Sequence, residues 1–428
     1  MTQACAVPAG GSKNKMWGQH LVLDLSGCPK EKIADGDNIL AWGSALVKAI
    51  DMVAYGKPQL EHFATHKLET AGYTFVQLIE TSNICAHFAE NLGEVYIDIF
   101  SCRDFDEQKA LEVTKQFFAP EIARVKNFNR GETFVENLYG TRNYQGFAVD
   151  DVLFEGQSDY QKVSILANKE LGKVLTLDNI IQTTENDEMC YHEMIVHVPI
   201  MSLPHAPEHV LIVGGGDGGC LREALRYPSL KRADMVEIDQ MVVDQCIKYM
   251  PTLNNNGAIY KDPRANLLIQ DAFKFMKETD QKYDAIVVDS TDPFGAAEAL
   301  FGLEFYQMCQ RALKPGGTIS TQNGVPFFQP QELSQTAAFW RQLGLLGQCY
   351  LATVPTYYGG SMALGFGVNA KEFSLPSEEQ LTARLKDYGF GDALRHYTPA
   401  LHRAAFALPK WVGEIMAGNA KALERKAA

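Results

Sequence analysis

The pattern of hydrophobic and polar positions changes near residue 209. From there on, short apolar runs alternate with amphipathic segments, and this alternation continues to about residue 367. The apolar runs predict strands at 209–213, 233–238, 265–269, 283–288, 317–321, 348–354 and 362–367, and the amphipathic segments predict helices at 240–249, 272–278, 303–313 and 332–344. Such alternation is typical of a mainly parallel sheet with helices on both faces.

The N-terminal part of the chain has a different pattern. It predicts strands at 20–25, 73–79 and 94–100 and helices at 37–55 and 107–118, which together indicate a small α+β sandwich. Residues 119–150 are rich in charges, Asn and Gly and predict a connection, followed by short strands at 147–154, 161–166 and 172–177. We therefore expect an α+β domain over 1–125, a linker over 126–148, a β region over 149–208 and an α/β domain over 209–428.

Composition narrows the classes of partner. The 428 residues carry a net charge of −13, which argues against nucleic acid or an anionic membrane and is compatible with a cationic substrate, although many proteins are acidic for solubility alone. The nine cysteines are scattered without a Cys-x-x-Cys pair, so neither a disulfide framework nor a zinc site is indicated. No secretory signal or membrane-spanning run is apparent, and the expected location is the cytoplasm.

A glycine-rich turn follows the first predicted strand of the α/β domain. Gly214 to Gly219 lie between that strand and a predicted helix, which is the opening of a nucleoside-binding unit. A turn of this type also occurs in nicotinamide-dependent dehydrogenases. Asp217 within the turn would repel a pyrophosphate, however, and favours a cationic ligand.

Acidic residues end the first four predicted strands, where ligands bind in a doubly wound sheet. Glu237 lies 18 positions after Gly219 and is placed to bind a ribose diol, while Asp271 could accept from an adenine amino group. Asp217, Asp289 and Asp292 remain, and a cation would relieve their mutual repulsion. Asp271 and Asp289 could each instead be helix N-caps.

Several long motifs, in one order, resemble the polyamine aminopropyltransferases, that is, the spermidine synthases. The resemblance covers roughly 149–416 and is close to the bacterial putrescine-using members. Its matching stretches are 158–161, 172–178, 182–188, 191–194, 214–219, 237–239, 289–293, 355–360 and 404–409. One departure is Ala296, where the family usually has proline after the glycine of Asp-Pro-x-Gly; the change could loosen a loop over the adenine but removes no charge.

This resemblance implies a Rossmann-like, methyltransferase-like catalytic domain that transfers an aminopropyl group from decarboxylated S-adenosylmethionine to putrescine, without a metal or cofactor. The expected assembly, from the general prevalence of symmetric oligomers, is a homodimer or homotetramer. Asp289 would be the base that takes a proton from the amine. The resemblance places Gln161, Glu237, Asp271 and Ala272 on the methylthioadenosine part, and His192, Asp217, Asp289 and Asp292 on the polyamine, with Tyr191 and Tyr357 positioning the amine or merely packing.

The N-terminal unit resembles, more weakly, the small prokaryotic S-adenosylmethionine decarboxylases, which cleave their own chain at a serine that becomes a pyruvoyl group. The resemblance assigns Ser82 as the precursor, His87 as the processing histidine and Cys102 as the proton donor. The usual Glu-Ser-His is here Thr81-Ser82-Asn83. The domain is therefore either self-processing or an inactive unit kept for dimerisation or stability.

Two other classes of function stay open at this stage. A nicotinamide dehydrogenase would use the glycine turn but conflicts with the acidic strand ends. A non-catalytic polyamine sensor would keep Asp217 and Asp292 but would need no base at Asp289.

Overall fold

The computed structural model describes residues 18–64, 66–67, 71–129, 133–293, 295–419 and 421. The chain divides into two compact units between Thr133 and Phe134. Within the described ranges, no helix has both the length and the apolar character needed to cross a membrane.

The N-terminal unit is a six-stranded antiparallel sheet with helices packed on one face. Along the four central strands of the sheet, buried residues largely alternate with more exposed ones. Trp42 packs between the sheet and the helices, with its ring centroid 5.3 Å from that of Phe75 and 5.9 Å from that of Phe88. The strand order is β2-β3-β4-β5-β1-β6. The elements are β1 (Gln19–Ser26), α1 (Lys30–Ile33), α2 (Gly36–Ala49), β2 (Ala54–Phe63), β3 (Gly72–Ile79), β4 (Ser82–Ala89), β5 (Glu94–Ser101), α3 (Glu107–Phe118) and β6 (Ile122–Asn129).

Two local expectations for this region were wrong. The helix predicted over 37–55 ends at Ala49, and the edge strand β2 begins at Ala54. Most side chains of β2 are exposed, so the strand lacks the alternation that would have revealed it. The connection predicted over 119–150 contains β6, which pairs with β1, and a hairpin of β7 (Thr133–Asn137) and β8 (Tyr144–Ala148), with a 3-10 turn at Leu138–Gly140.

The second unit continues from this hairpin with a small antiparallel sheet in the order β12-β11-β10-β9. One of its faces packs Val163, Ile165 and Leu175 against residues 242–253 of the following α/β layer. Its strands are β9 (Asp151–Gln157), β10 (Lys162–Asn168), β11 (Gly172–Leu177) and β12 (Ile180–Thr184).

A seven-stranded mixed sheet forms the centre of this unit, in the order β15-β14-β13-β16-β17-β19-β18. The first five strands in that order are parallel, and β19 runs antiparallel to both neighbours. Side chains of β13 alternate between two separate cores, so both faces of the sheet are covered. The strands are β13 (His209–Gly214), β14 (Arg232–Glu237), β15 (Ala265–Ile269), β16 (Tyr283–Asp289), β17 (Leu313–Gln322), β18 (Leu346–Ala352) and β19 (Met362–Val368).

Helices cover this sheet, and the predicted α/β class with a preceding β region is confirmed. The helices are α4 (Glu188–Met201), α5 (Gly219–Ala224), α6 (Gln240–Tyr249), α7 (Ala272–Glu278), α8 (Leu303–Ala312), α9 (Pro330–Leu343), α10 (Glu378–Tyr388), α11 (Pro399–Ala404) and α12 (Lys410–Met416), with 3-10 turns at Ala258–Lys261, Gly295–Phe301 and Gly391–Ala393. The sequence did not predict α4 as a helix, because nearly all of its residues are buried and it lacks a polar face.

Candidate active site

A cavity of about 280 Å³ lies at the carboxyl ends of the central strands, between β13 and β16, where the strand order reverses. Ten of the residues predicted for the aminopropyltransferase site line it: Gln161, Tyr191, His192, Asp217, Glu237, Asp271, Ala272, Asp289, Asp292 and Tyr357. The remaining one is Ala296, whose side chain lies outside the described residues.

The cavity wall is strongly acidic. Among its described lining residues there is neither lysine nor arginine, and His192 is the one basic side chain. The lining carboxylates are Glu136, Asp178, Asp217, Glu237, Asp271, Asp289 and Asp292. A wall of this composition favours a cationic ligand over a phosphate or a carboxylate.

The glycine turn after β13 lets the end of β16 and the helix α4 approach it closely at the cavity. Gly214 has a φ of +80°, and a Cβ there would lie 2.1 Å from the carbonyl oxygen of Asp289. A Cβ on Gly219 would lie 2.3 Å from the ring of His192. Side chains at these positions would therefore push away the end of β16 and the helix α4.

Asp289 is held by two donors from different helices. The Tyr191 hydroxyl donates to Oδ1 at 2.7 Å, and the Cys220 thiol donates to Oδ2 at 3.1 Å. Burial, followed by the charge of Asp217, raises the pKa of Asp289. Asp289 does not cap a helix, so the N-cap alternative is wrong for this residue.

His192 is fully buried between two carboxylates. Its Nε2 lies 3.2 Å from Oδ2 of Asp217, and its Nδ1 lies 2.7 Å from Oε2 of Glu188. Burial opposes the charged ring, but these carboxylates outweigh it and raise the pKa of His192 well above its ordinary value. An imidazolium there partly neutralises Asp217, and Arg222 at 2.8 Å neutralises Glu188 from the other side.

The opposite end of the cavity carries the residues predicted for the nucleoside. Oε1 of Glu237 accepts from the backbone N–H of Asp239 at 2.8 Å, and burial raises the pKa of Glu237 to about 7. Gln161 is oriented by donating to Oδ2 of Asp239 at 3.0 Å. Asp271 is indeed an N-cap, accepting from the backbone of Phe273 at 2.7 Å, and it also lines the cavity.

The carboxylate of Asp292 is hydrogen-bonded by two side-chain amides. Its two carboxylate oxygens accept from the side-chain amides of Gln322 and Gln329, each at 3.1 Å. Burial raises the pKa of Asp292. Since both donors are neutral, the negative charge of the carboxylate is available to a ligand.

Two further glutamates near Asp292 were missed from the sequence. Glu136 on β7 accepts from Gln145 at 2.6 Å, and Glu332 on α9 accepts from Gln329 at 3.0 Å. Burial raises the pKa of Glu136 to about 7 and that of Glu332 to about 8. Glu136 falls in the stretch taken for a connection, and Glu332 lies in the first turn of a helix, where glutamate is ordinary.

The two tyrosines pack on each other and also line the cavity. Tyr191 and Tyr357 meet edge to face with ring centroids 6.0 Å apart, and the Tyr357 hydroxyl donates to the carbonyl oxygen of Gln182. The packing and positioning interpretations are therefore compatible.

In the N-terminal unit the structure brings two of the three predicted residues together. Oγ of Ser82 lies 3.8 Å from Sγ of Cys102, and the backbone N–H of Cys102 donates to the carbonyl oxygen of Thr81 at 3.0 Å. His87 lies five residues further along β4, about 16 Å away at the usual rise, and bonds Thr74 at 2.8 Å. Strand alternation puts it on the opposite face, so His87 does not join Ser82 within one chain.

Comparisons with known protein families give separate matches in the two compact units. Residues 188–377 match the spermine/spermidine synthase domain, and residues 140–185 match the spermidine synthase tetramerisation domain. Residues 19–131 match the S-adenosylmethionine decarboxylase family.

Individual relatives match this chain over nearly their whole length. A polyamine aminopropyltransferase from Ruegeria sp. is 45% identical over 271 residues, which is 63% of this chain and 94% of the relative. Polyamine aminopropyltransferase 1 of Pseudomonas aeruginosa is 44% identical over 280 residues, covering 65% of this chain and 96% of the relative.

Solved structures of spermidine synthases share the fold. One, in complex with the transition-state analogue AdoDATO, superposes with a TM-score of 0.61 at 32% identity, over 67% of this chain and 95% of that structure. The spermidine synthase from Thermotoga maritima gives a TM-score of 0.60 at 32% identity, over 67% and 94%. The chain therefore belongs to the polyamine aminopropyltransferase family and carries an S-adenosylmethionine decarboxylase-like domain ahead of it.

Proposed function

We propose that this protein transfers an aminopropyl group from decarboxylated S-adenosylmethionine to putrescine, giving spermidine and methylthioadenosine. The observation that carries the proposal is the cavity at the glycine turn, whose wall holds seven carboxylates and, among its described residues, no lysine or arginine. Both substrates are cationic, one as a sulfonium and one as a diamine, so this wall attracts both. Family membership supports the same reaction.

The reaction itself is an in-line displacement. The amine nitrogen bonds to the methylene carbon beside the sulfonium, the carbon–sulfur bond breaks, and its electron pair leaves with the thioether of methylthioadenosine. Because the sulfonium is a good leaving group, holding the two substrates in line supplies much of the rate. In our proposal Glu237, Gln161, Asp271 and Ala272 hold the nucleoside.

Activation of the acceptor requires removal of a proton, since putrescine is doubly protonated at neutral pH. We assign this step to Asp289, whose raised pKa brings its basicity closer to that of the amine. Tyr191 fixes the carboxylate, and Asp217 with His192 forms the adjoining wall. Asp292 and the nearby Glu136 are assigned to the distal ammonium of the acceptor.

The acidic wall also supports selectivity for the donor. Intact S-adenosylmethionine carries a carboxylate on the arm that is transferred, and the neighbouring aspartates would repel it. Of the alternatives, the dehydrogenase disagrees with the family membership. A polyamine sensor would bind the same ligands but would form no product.

One assay tests the proposed reaction. Purified protein is incubated with putrescine and decarboxylated S-adenosylmethionine, and spermidine and methylthioadenosine are quantified by mass spectrometry. We expect both products in equal amounts, with no added metal or cofactor. Binding of both substrates without product would support the sensor and would refute the transferase.

For the N-terminal unit we propose that Ser82 is the precursor of a pyruvoyl group. Two of the three predicted residues fit such a group: the Ser82 hydroxyl is next to the Cys102 thiol, and the Thr81 carbonyl, at the bond to be cleaved, already accepts a hydrogen bond. When formed, the group supplies an electron sink for decarboxylation. Cys102 lies where it could deliver the proton that replaces carbon dioxide.

Denaturing electrophoresis tests this processing directly. Self-cleavage between Thr81 and Ser82 would give fragments of about 9 and about 38 kDa, whereas Ser82→Ala would leave one intact band. The processed protein should also make spermidine from intact S-adenosylmethionine and putrescine, and the variant should require the decarboxylated donor. A single intact band from the unaltered chain would instead favour the inactive, structural alternative.

Assembly and location complete the proposal. The match of residues 140–185 to a tetramerisation domain supports an oligomer, and we propose a homodimer or homotetramer. The cytoplasmic location stays a prediction.

A further inference from the structure

The carboxylate of Asp289 has a second neighbour that the reaction above does not use. Cys220 is the first residue after the glycine turn, in the opening turn of α5, and it is fully buried. Its thiol donates to Oδ2 of Asp289 at 3.1 Å, while Tyr191 on α4 donates to Oδ1 at 2.7 Å. The base is thus fixed by one donor on each oxygen, from two helices.

The direction of this hydrogen bond follows from the surroundings of the thiol. Burial, with the charges of Asp289 and Asp217 next, raises the pKa of Cys220 well above its ordinary value. The sulfur therefore keeps its proton and acts as the donor, and the carboxylate accepts. A donor of this kind stabilises the ionised carboxylate more than the protonated one.

The groups around Asp289 shift its protonation equilibrium in opposite directions. Burial and Asp217 favour its protonated form, whereas the His192 imidazolium, Tyr191 and Cys220 favour the ionised form. Glu237 and Tyr357 also interact electrostatically with Asp289. Because burial and Asp217 together leave the carboxylate hard to ionise, the loss of even a weak donor should be measurable.

We propose that Cys220 is a positioning residue for aminopropyl transfer, whose thiol orients Oδ2 of Asp289 and helps keep the base ionised. This inference rests on the proposed function. Gly215 packs directly beside this arrangement: its φ is +75°, and a Cβ there would lie 3.2 Å from Oδ2 of Asp289, so that the carboxylate would have to shift slightly.

The kinetic test compares three variants over a range of pH. Cys220→Ala removes the donor, and we expect the acid limb of the kcat profile to move upward by about half to one pH unit, with kcat at neutral pH lowered about three- to tenfold. Cys220→Ser keeps a donor and should restore the acid limb. Cys309→Ala is the matched control, since Cys309 is equally buried but packs in the apolar core of α8. A uniform loss of kcat without movement of the limb, or equal losses in the alanine and serine variants, would overturn the proposal.

An infrared measurement makes the test independent of turnover. The S–H stretch of each cysteine is isolated by difference spectra between the unaltered protein and the Cys220→Ser or Cys309→Ala variant. A thiol bonded to a carboxylate should absorb at lower frequency than one in an apolar core, and the Cys220 band should move as Asp289 titrates. If the Cys220 and Cys309 bands had the same frequency and did not change with pH, the hydrogen bond would be refuted. If the Cys220 band were shifted but the product assay failed, only the proposed transferase reaction would be refuted.

Discussion

Replacing Asp289 with asparagine is expected to lower kcat for aminopropyl transfer by roughly 100- to 10,000-fold, the usual range for losing a general base. Asparagine has nearly the same shape but only one acceptor oxygen, so it can accept from Tyr191 or from Cys220 but not from both. It cannot take a proton from the amine. Product formation is measured under saturating putrescine and donor, so that the change is read in kcat. Binding of the donor, measured by calorimetry, should be retained.

Asp244→Asn is the matched control, because Asp244 is an exposed aspartate of α6 outside the cavity lining. It removes one negative charge from the same unit and should leave kcat unchanged. Turnover of Asp289→Asn close to that of the unaltered chain would show that the base is a different group.

The pH profile adds an independent check on Asp289. Burial and Asp217 raise the pKa of this carboxyl, so its basic form is lost at a higher pH than for an ordinary aspartate. The kcat of the unaltered chain should therefore fall on the acid side through this raised pKa, and the residual activity of Asp289→Asn should lack that limb. An identical acid limb in both proteins would assign the titration elsewhere.

Replacing Glu237 with glutamine is expected to weaken binding of the donor by roughly 10- to 100-fold, with a smaller effect on putrescine. The physical reason is the loss of charged hydrogen bonds to the ribose hydroxyls, which are worth about 1.5–3 kcal/mol. Calorimetric titration with methylthioadenosine measures the effect directly, since this product lacks the aminopropyl arm. Glu304→Gln, an exposed change on α8, serves as the control.

The pH dependence of donor binding should change in the same variant. Burial raises the pKa of Glu237 to about 7, and a ribose diol favours the ionised carboxylate, which accepts from both hydroxyls. Affinity of the unaltered chain for methylthioadenosine should therefore decrease as the pH falls through about 7. The glutamine variant should show no such decrease; a persistent one would place the titrating group elsewhere.

The sequence by itself predicted much of the second unit. The helix over 272–278 and the strand over 265–269 have the predicted boundaries. The helix packs Ala272 and Met276 into one core, and the strand places Leu267 and Leu268 against two different cores, so their apolar spacing reflects that packing. The acidic strand ends could also be located, since parallel strands bring their carboxyl ends to one edge. Asp217, Glu237 and Asp289 accordingly line one cavity.

Other features required the folded chain. Helix α4 carries Tyr191 and His192 but is buried on nearly every side, so no polar face marked it as a helix. The edge strand β2 was not predicted for the opposite reason, because most of its side chains are exposed. In both cases the local pattern lacked the contrast between buried and exposed positions on which such predictions depend.

Charge and hydrogen bonding around the base were decided only by tertiary structure. Cys220 and Tyr191 lie 69 and 98 positions from Asp289 and yet bond its two oxygens, and Glu136 reaches the same cavity from a stretch that looked like a connection. The sequence determined that acidic side chains would gather at one sheet edge, because strand direction is a local property. Which donors meet them, and how far burial raises each pKa, depends on the packing of distant helices, since desolvation and short contacts exist only once those helices have closed over the sheet.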